Sequence, residues 1–495
     1  MASLEELRGV RLEKLQKLKD AGMNPYAAET ERTHTNSEAS EQFDALIKKG
    51  ESLTLVGRVM AIRGQGAISF IPLFDGTATF QAVLKEDEID AELLELFRDT
   101  VDMGDFIQVS GPLFTTERGA PSLLVKDWTI LTKSLRPLPD KHKGLQDLEE
   151  RYRKRYLDIL MSDEVRERFI LKSRVTTAIR EYFNNKNFIE VETPILQNQA
   201  GGAMAETFNT HHNDYDMPMV LRIALELEHK MLMVGGFPRI YEIGKNFRNE
   251  GSDPTHLQEF TMMEWYAAYA TLEDNMTWTE DLLRHLAREV VGHSTFTVYD
   301  KKGEGIEVDF DASWRKVRFD ELLQENAGLD MHIASDQEIH DKAREYGMND
   351  EDLNTMGKAN ILDYIYKKSS RVNIINPTFV THYPSDLKPL AQQNDDGTAQ
   401  VAQLIIGGAE ITNQYAELID PLVQRELLER QSQAKEAGDK EAMEIDERFL
   451  TAMEHGMPPM TGFGMGIDRL VAIFTSQKNL RDVIFFPIMK PKNEE

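Results

Sequence analysis

Residues 239–266 read RIYEIGKNFRNEGSDPTHLQEFTMMEWY. Two runs rich in β-branched and aromatic residues flank a polar loop that contains Gly251, Ser252, Asp253 and Pro254, the pattern of a strand, a loop and a returning strand. In the second run Thr261 and Met263 alternate with Met262 and Glu264, so Glu264 and Tyr266 point from one face of a sheet. Phe247-Arg248-Asn249-Glu250 closes the first run. A guanidinium beside a carboxylate at the mouth of a hairpin can hold a phosphate and orient its neighbour. From these residues alone, an ordinary surface ion pair fits equally well.

Around this hairpin lie 495 residues, enough for two or three domains. Hydrophobic residues make up 41% and charged residues 28%, the balance of a soluble globular protein. No apolar run approaches the roughly 18 residues of a membrane span. Met1 to Asp20 is charged throughout and lacks the apolar stretch of a signal peptide. With no cysteine, disulfides and thiolate metal sites are excluded, and a cytoplasmic location is the expectation. The net charge of −27 argues against a purely electrostatic nucleic-acid binder, though a local basic patch would still bind one.

Residues 3–20 set Leu4, Leu7, Leu15 and Leu18 among Arg8, Arg11, Lys14, Lys17 and Lys19, predicting a basic amphipathic helix that either docks or contacts a phosphate backbone. Short strands are expected at Leu53–Val59, Ile68–Phe74, Thr77–Leu84, Phe106–Leu113 and Leu123–Leu131, with a helical patch at Ala91–Arg98. That is the pattern of a small closed barrel, the OB-fold, which binds single-stranded nucleic acid on aromatic platforms. Phe70 is the candidate to stack a base and Gln81 to read its edge, although a strand aromatic is more commonly a core residue. Residues 133–156 read as a linker, with Arg151, Arg153, Lys154 and Arg155 as a basic cluster that a polyanion would pass or that Glu149 and Glu150 would neutralise. The domain boundaries expected are 1–140 for helix and barrel, 141–160 for the linker, and 161–495 for a larger domain.

That larger domain opens with Ser162 as an N-cap and a long helix, followed by a strand from Phe188 to Thr193 that ends at Pro194. Val220–Ile223 reads as a strand and Glu226–Val234 as a helix. Residues 275–370 read as mostly helical. Arg371–Val380 and Gln403–Leu418 look like strands, Asp420–Glu454 like a charged helical stretch, and Ile467–Phe474 like a buried helix.

Phe247-Arg248-Asn249-Glu250, a loop, then Phe260 and Glu264 resembles motif 2 of the class II aminoacyl-tRNA synthetases. Gly462-Phe463-Gly464-Met465-Gly466-Ile467-Asp468-Arg469 resembles motif 3 of the same class, and the helix and strand ending at Pro194 resemble motif 1, its dimer interface. The resemblance implies an α+β architecture: an N-terminal OB-fold barrel that binds the anticodon, and a catalytic domain with an antiparallel sheet flanked by helices. Barrel before motifs marks the subgroup charging lysine, aspartate or asparagine. Gly201-Gly202-Ala203, Leu221 to Leu227, Asn413-Gln414-Tyr415-Ala416-Glu417 and Glu454 to Pro459 resemble its lysine-charging members.

The same resemblance implies roles. Arg248 and Arg469 would act on the α-phosphate and over the adenine, with Phe260 beneath and Glu250, His256, Glu410 and Gly466 completing the ATP site. Glu226 and Glu417 would receive the substrate's ε-ammonium with Tyr266 assisting; Glu264 and Gly202 the α-amino group; Asn413 the carboxylate; Tyr415 the aliphatic stem. Magnesium is the implied cofactor, held by Glu410, with Gln403 standing where the family has a second glutamate. Ala409 and Gln392 replace basic residues, and Leu257 replaces an asparagine. The implied activity is ATP-dependent ligation of lysine to tRNA by a cytoplasmic homodimer with no membrane contact. The alternative is a paralogue that adenylates lysine or a related amino acid for another acceptor.

Overall fold

The computed structural model describes residues 3–64, 66–139, 144–203, 205–300, 303–436 and 445–492, in two units, Met1–Asp147 and Leu148–Glu495. In the first unit the strands are β1 (Ser52–Val59), β2 (Ile68–Phe74), β3 (Thr79–Lys85), β4 (Phe106–Thr115), β5 (Pro121–Leu124) and β6 (Asp127–Thr132). Their alternation buries Leu53, Leu55, Ile71, Leu73, Ile107 and Val109 inside. Because β1 pairs with both β2 and β4, the ring β1-β2-β3-β5-β4 closes, and β6 continues outward from β4. The expected last strand is broken in two at Val125 and Lys126, whose amides bond to Val83 and Ser110 on different strands.

The helix Leu4–Asp20 begins in a capping box between Ser3 and Glu6. Of its apolar stripe Leu18 is buried, while Leu4 and Leu7 are exposed. Its basic face is used for docking: Arg11 donates to the carbonyls of Met103, Ser134 and Arg136, and Lys14 pairs with Asp102. Lys133, expected to open the linker, is fully buried between Asp102 and Asp105 and belongs to the barrel unit.

The rest of the linker expectation is also corrected where residues are described; 140–143 lie outside them. Residues 148–161 form two helices, Leu148–Arg153 and Arg155–Met161. Acids at helical spacing neutralise the basic cluster in place: Glu149 holds Arg153, Glu150 holds Lys154, and Asp158 holds Arg151 and the buried Arg155.

The second unit is built on an eight-stranded sheet. Its strands, with those of two small sheets, are β7 (Ile189–Glu190), β8 (Leu196–Gln197), β9 (Asn209–His212), β10 (Met217–Leu221), β11 (Arg239–Phe247), β12 (Glu259–Ala268), β13 (Thr295–Tyr299), β14 (Gly305–Asp309), β15 (Arg315–Arg318), β16 (Thr378–Pro384), β17 (Thr398–Ile406), β18 (Ala409–Ala416) and β19 (Met460–Gly466). The main sheet runs β15-β16-β17-β18-β19-β12-β11-β7, antiparallel except at its two edges. The hairpin predicted from residues 239–266 is β11 and β12, in register from Arg239 opposite Ala267 to Phe247 opposite Glu259.

Odd-numbered residues of β12 and β19 turn to a core where Met263, Trp265, Phe463 and Met465 meet Phe183 and Phe474. Phe183 belongs to the helix Asp163–Asn185, N-capped by Ser162 as expected, and Phe474 to the helix Ile467–Phe474. The even-numbered face carries the site.

Three expectations change. Residues 275–370 are mostly helical as expected but also hold strands: β13 and β14 pair as a hairpin, β15 joins the sheet edge, and their alternating residues are those of strands. The strand after the long helix shrinks to β7, since Thr193 is drawn into a polar network with Arg222 and Glu242. Arg371–Asn373 is a short 3-10 turn ahead of β16.

Candidate active site

Cross-strand register assembles the site. Glu264 on β12 lies opposite Gly464 on β19, Gly464 opposite Asn413 on β18, and Asn413 opposite Gln403 on β17. One step along, Tyr266, Gly462 and Tyr415 form the next row. The glycines leave the floor of the sheet bare. At Gly462 the reason is steric: a methyl there would fall on Glu417 Oε1 and come within 2.5 Å of Tyr266 Cε1. Over this floor lies a cavity of about 350 Å³, within the range for small-molecule sites. Gly202, Glu226, Arg248, Glu250, His256, Phe260, Glu264, Tyr266, Glu410, Asn413, Tyr415, Glu417, Gly466 and Arg469 all border it. Gly202 adopts a left-handed conformation and its Cα faces Glu226, where a side chain would collide.

At one end of the cavity three carboxylates are buried. Burial, reinforced by the charge of Glu226, pushes the Glu264 carboxyl up to about 8. Its oxygens meet the Leu225 amide at 3.3 Å and the Tyr266 hydroxyl at 3.5 Å. Burial also raises Glu417, against the pull of the Lys230 ammonium. Lys230 Nζ is 2.7 Å from Glu226 Oε1 and 2.6 Å from Glu417 Oε2. Asn413 donates to the Tyr415 hydroxyl at 2.6 Å.

At the other end are the arginines. The Arg248 guanidinium lies 5.2 Å over the Phe260 ring and donates to the Ile223 carbonyl. Arg469 donates to the backbone carbonyl of Glu410 at 2.5 Å, leaving the Glu410 carboxylate for other partners. Burial pulls both guanidinium groups below their usual value, a cost that a bound polyphosphate relieves. His256 is exposed on the hairpin loop, its Nδ1 held by Asp253 at 2.8 Å.

Asp468 ties the three sequence motifs together. Its Oδ2 accepts from the Thr261 amide on β12 at 2.8 Å, and its Oδ1 takes Lys172 of the helix Asp163–Asn185 at 2.5 Å. Beneath the hairpin, Arg222 bonds Glu242, the Thr193 carbonyl and the Lys245 carbonyl.

Gln403 is the outlier among the expected residues. It is buried behind the cavity wall, its amide nitrogen 3.3 Å from Asn413 Oδ1, and does not border the cavity itself. In the barrel, Phe70 and Gln81 lie half-buried on the outer face, since Ile71, Ala82 and Leu84 take the inner positions. Gln81 donates to Ser122 Oγ at 2.8 Å, in a row Pro72–Gln81–Ser122–Phe114 across four strands. Phe114 is therefore a second outward aromatic, flanked by the Lys85 ammonium at 5.0 Å.

Sequence reading did not single out Phe114, Lys230 or Lys388. Lys230 follows Glu226 by four residues on a helix, which looks like a surface pair until Glu417 is brought to it. Lys388 also borders the cavity, 5.8 Å over the Tyr415 ring and 5.4 Å over Tyr383, and nothing local in the sequence signals it.

Residues 147–490 match the family of class II tRNA synthetases (D, K and N), and residues 53–131 match the OB-fold nucleic acid binding domain. The chain is 42% identical over 494 residues to the lysine–tRNA ligase of Carboxydothermus hydrogenoformans, covering 99% of each. It is 43% identical over 509 residues to that of Prochlorococcus marinus strain MIT 9303, covering 99% of this chain and 98% of the relative. To that of Lactococcus lactis subsp. cremoris it is 41% identical over 501 residues, covering 99% and 100%. None of these names points to an acceptor other than tRNA.

Proposed function

The chain belongs to the class II lysine–tRNA ligases, and from that premise we propose how its cavity performs the reaction. The substrate's ε-ammonium enters between Glu226 and Glu417, its stem lies on Tyr415, and its α-ammonium meets Glu264 beside Gly202. Its carboxylate is directed by Asn413 and Arg248 toward ATP, whose adenine takes the space between Phe260 and Arg469, with Glu250 and His256 at the rim. A carboxylate oxygen attacks the α-phosphorus, the bond to pyrophosphate breaks, and lysyl-adenylate remains. The nucleophile is already ionised and the leaving group departs as an anion, so the chain supplies positioning and positive charge rather than a general base. The ribose hydroxyl at the 3′ end of tRNA then takes the lysyl group and releases AMP.

The observation that carries this reading is the pair of buried carboxylates, Glu226 and Glu417, that border the same end of the cavity. A carboxylate substrate such as aspartate would be repelled there. Amino-acid-dependent ATP–pyrophosphate exchange across the twenty amino acids tests it. Lysine alone should support exchange; norleucine, lacking the buried polar partner, should be rejected by roughly 10⁴–10⁵. Equal exchange with aspartate would overturn the assignment.

Magnesium arriving with ATP fits the donor that borders the cavity, the Glu410 carboxylate, whereas Gln403, behind the wall with its amide on Asn413, would not reach the ion. One carboxylate together with substrate phosphates is an ordinary magnesium arrangement. The bound ion would neutralise phosphate charge. On the barrel, Phe70, Gln81 and Phe114 form the face we assign to the anticodon. A homodimer through the motif 1 elements is supported by their exposed Ile170, Ile189, Ile195 and Leu196. Among the described residues no helix is long and apolar enough to cross a membrane, and we place the enzyme in the cytoplasm with the translation machinery.

A further inference from the structure

The two carboxylates already meet a lysine side chain, and it is the chain's own. Lys230 projects from the helix Glu226–Val234, one turn after Glu226, and is fully buried. Its Nζ contacts Glu226 Oε1 at 2.7 Å, Glu417 Oε2 at 2.6 Å and the Leu390 carbonyl at 3.4 Å, with the Phe449 ring 5.9 Å away. Burial works against this ammonium, but the two carboxylates outweigh it and hold it charged. Glu226 and Glu417 border the cavity; Lys230 does not. Glu417 is thus two-sided. One oxygen is tied to Lys230 behind the wall. The ion pair is what separates the two oxygens, since neither makes a hydrogen bond of good geometry among the described residues: Oε2 takes Lys230, and Oε1 lies over Gly462 of the cavity floor.

The charges then balance. Glu226, Glu264 and Glu417 carry three negative charges when ionised, and Lys230 one positive charge, leaving two. Free lysine brings two ammonium groups. Without Lys230 this group of three carboxylates would keep one buried charge that the two ammonium groups do not cancel, and buried unpaired charge is strongly unfavourable. We propose that Lys230 is a positioning residue for lysine selection: a permanent counter-ion that sets the Glu226–Glu417 pair to a net single negative charge and turns Glu417 Oε1 to the substrate. This rests on the reading that the pair receives the ε-ammonium. The opposite view makes Lys230 a resident competitor that substrate must displace. Its anchoring from behind the wall and its absence from the cavity lining count against that view.

The test uses Lys230→Met, Lys230→Gln and Lys230→Arg in the full chain, with lysine and ATP varied in pyrophosphate exchange from acid to alkaline pH. The titratable groups facing the cluster are Glu264, Tyr266, Tyr415 and Lys388. Met and Gln should raise the lysine KM about tenfold or more while the ATP KM stays within about twofold, and should move the acid limb of kcat/KM for lysine up by about one pH unit. The cause of the shift is that one of two adjacent carboxylates, deprived of its counter-ion, takes up a proton. Arg, which keeps the charge, should retain the wild-type limb. A fall in lysine KM would establish the competitor and overturn the proposal, and so would an unchanged KM and limb. If Met and Gln do not fold, Arg carries the test, and a shifted acid limb in that variant overturns it. Glu226→Gln and Glu417→Gln separate the two levels. If neither alters the lysine KM, the pocket reading itself falls; if both raise it and the Lys230 variants do not, only this inference falls.

Discussion

Gly462→Ala isolates the fit of the pocket floor. Position 462 lies within β19, in extended backbone that alanine adopts without strain, so the perturbation is one methyl group. That methyl would collide with Glu417 Oε1 and stand 2.5 Å from Tyr266 Cε1. Carbon–carbon contacts are comfortable at about 3.5–4.0 Å, so the ring must retreat by about 1 Å. Neither group has an easy retreat, since Glu417 is tied to Lys230 at 2.6 Å and the Tyr266 hydroxyl is 3.5 Å from Glu264. A misplacement of about 1 Å in a positioning group costs on the order of 10²-fold in rate. Overpacking of this kind costs roughly 1–3 kcal/mol of stability. We expect kcat/KM for lysine, read by ATP–pyrophosphate exchange at saturating ATP, to fall by about 10². Gly466→Ala is the control: its methyl would meet only Arg469 Cβ at 3.7 Å, an ordinary contact, and the lysine KM should stay near wild type. A folded Gly462→Ala enzyme with wild-type lysine kinetics would refute the placement of Glu417 and Tyr266 around the substrate.

Lysine binding should depend on pH through Glu264. Its carboxyl titrates at about 8 in the empty site against 4.5 ordinarily, so it is protonated below about 8 and the incoming α-ammonium must displace that proton. Affinity measured by calorimetry should therefore rise with pH up to about 8, then level off, and Glu264→Gln should make the slope shallower, leaving the part that Glu417 contributes. The same raised value stabilises the empty fold at low pH, an advantage lost as pH rises from 4.5 through about 8. Asp468→Ala leaves the Thr261 amide without its acceptor and the Lys172 ammonium with only the Val483 carbonyl in place of its carboxylate. Because Lys172 keeps some contact with water, the loss in urea melts should lie toward the lower end of about 3–5 kcal/mol, and an unchanged midpoint would contradict it. Phe70→Ala and Phe114→Ala should each weaken tRNA charging by about 1–3 kcal/mol with lysine activation untouched; loss of both activities with loss of fold would make these core residues.

The site was legible where chemistry followed a local period. The alternation through Thr261, Met262, Met263 and Glu264 placed Glu264 and Tyr266 on one face, and the register with β19 and β18 keeps them there. What local pattern does not carry is the partner brought from afar. Lys230 reads as half of a helical pair because Glu417 lies 187 positions away, and its role appears only when β18 is in place. Arg151, Arg153, Lys154 and Arg155 read as a basic patch because charge in sequence does not reveal whether each cation already has an acid in space. Phe114 lies one residue beyond the strand expected at Phe106–Leu113, and its row-mates Ser122 and Gln81 come from other strands.

The order of the main sheet has a consequence for how the chain is made. β19, which follows every other strand of its sheet in the chain, does not join an edge: it inserts between β18 and β12. Until it emerges from the ribosome, the nascent chain carries two separate sheet fragments, each with an open edge where β19 belongs. Such edges recruit other strands, and long-range pairing of this kind is slow. A message truncated before Met460 would thus yield two halves without a seam rather than an enzyme lacking one strand. The substrate pocket, which straddles that seam, comes into existence only when the last strand of this sheet takes its place.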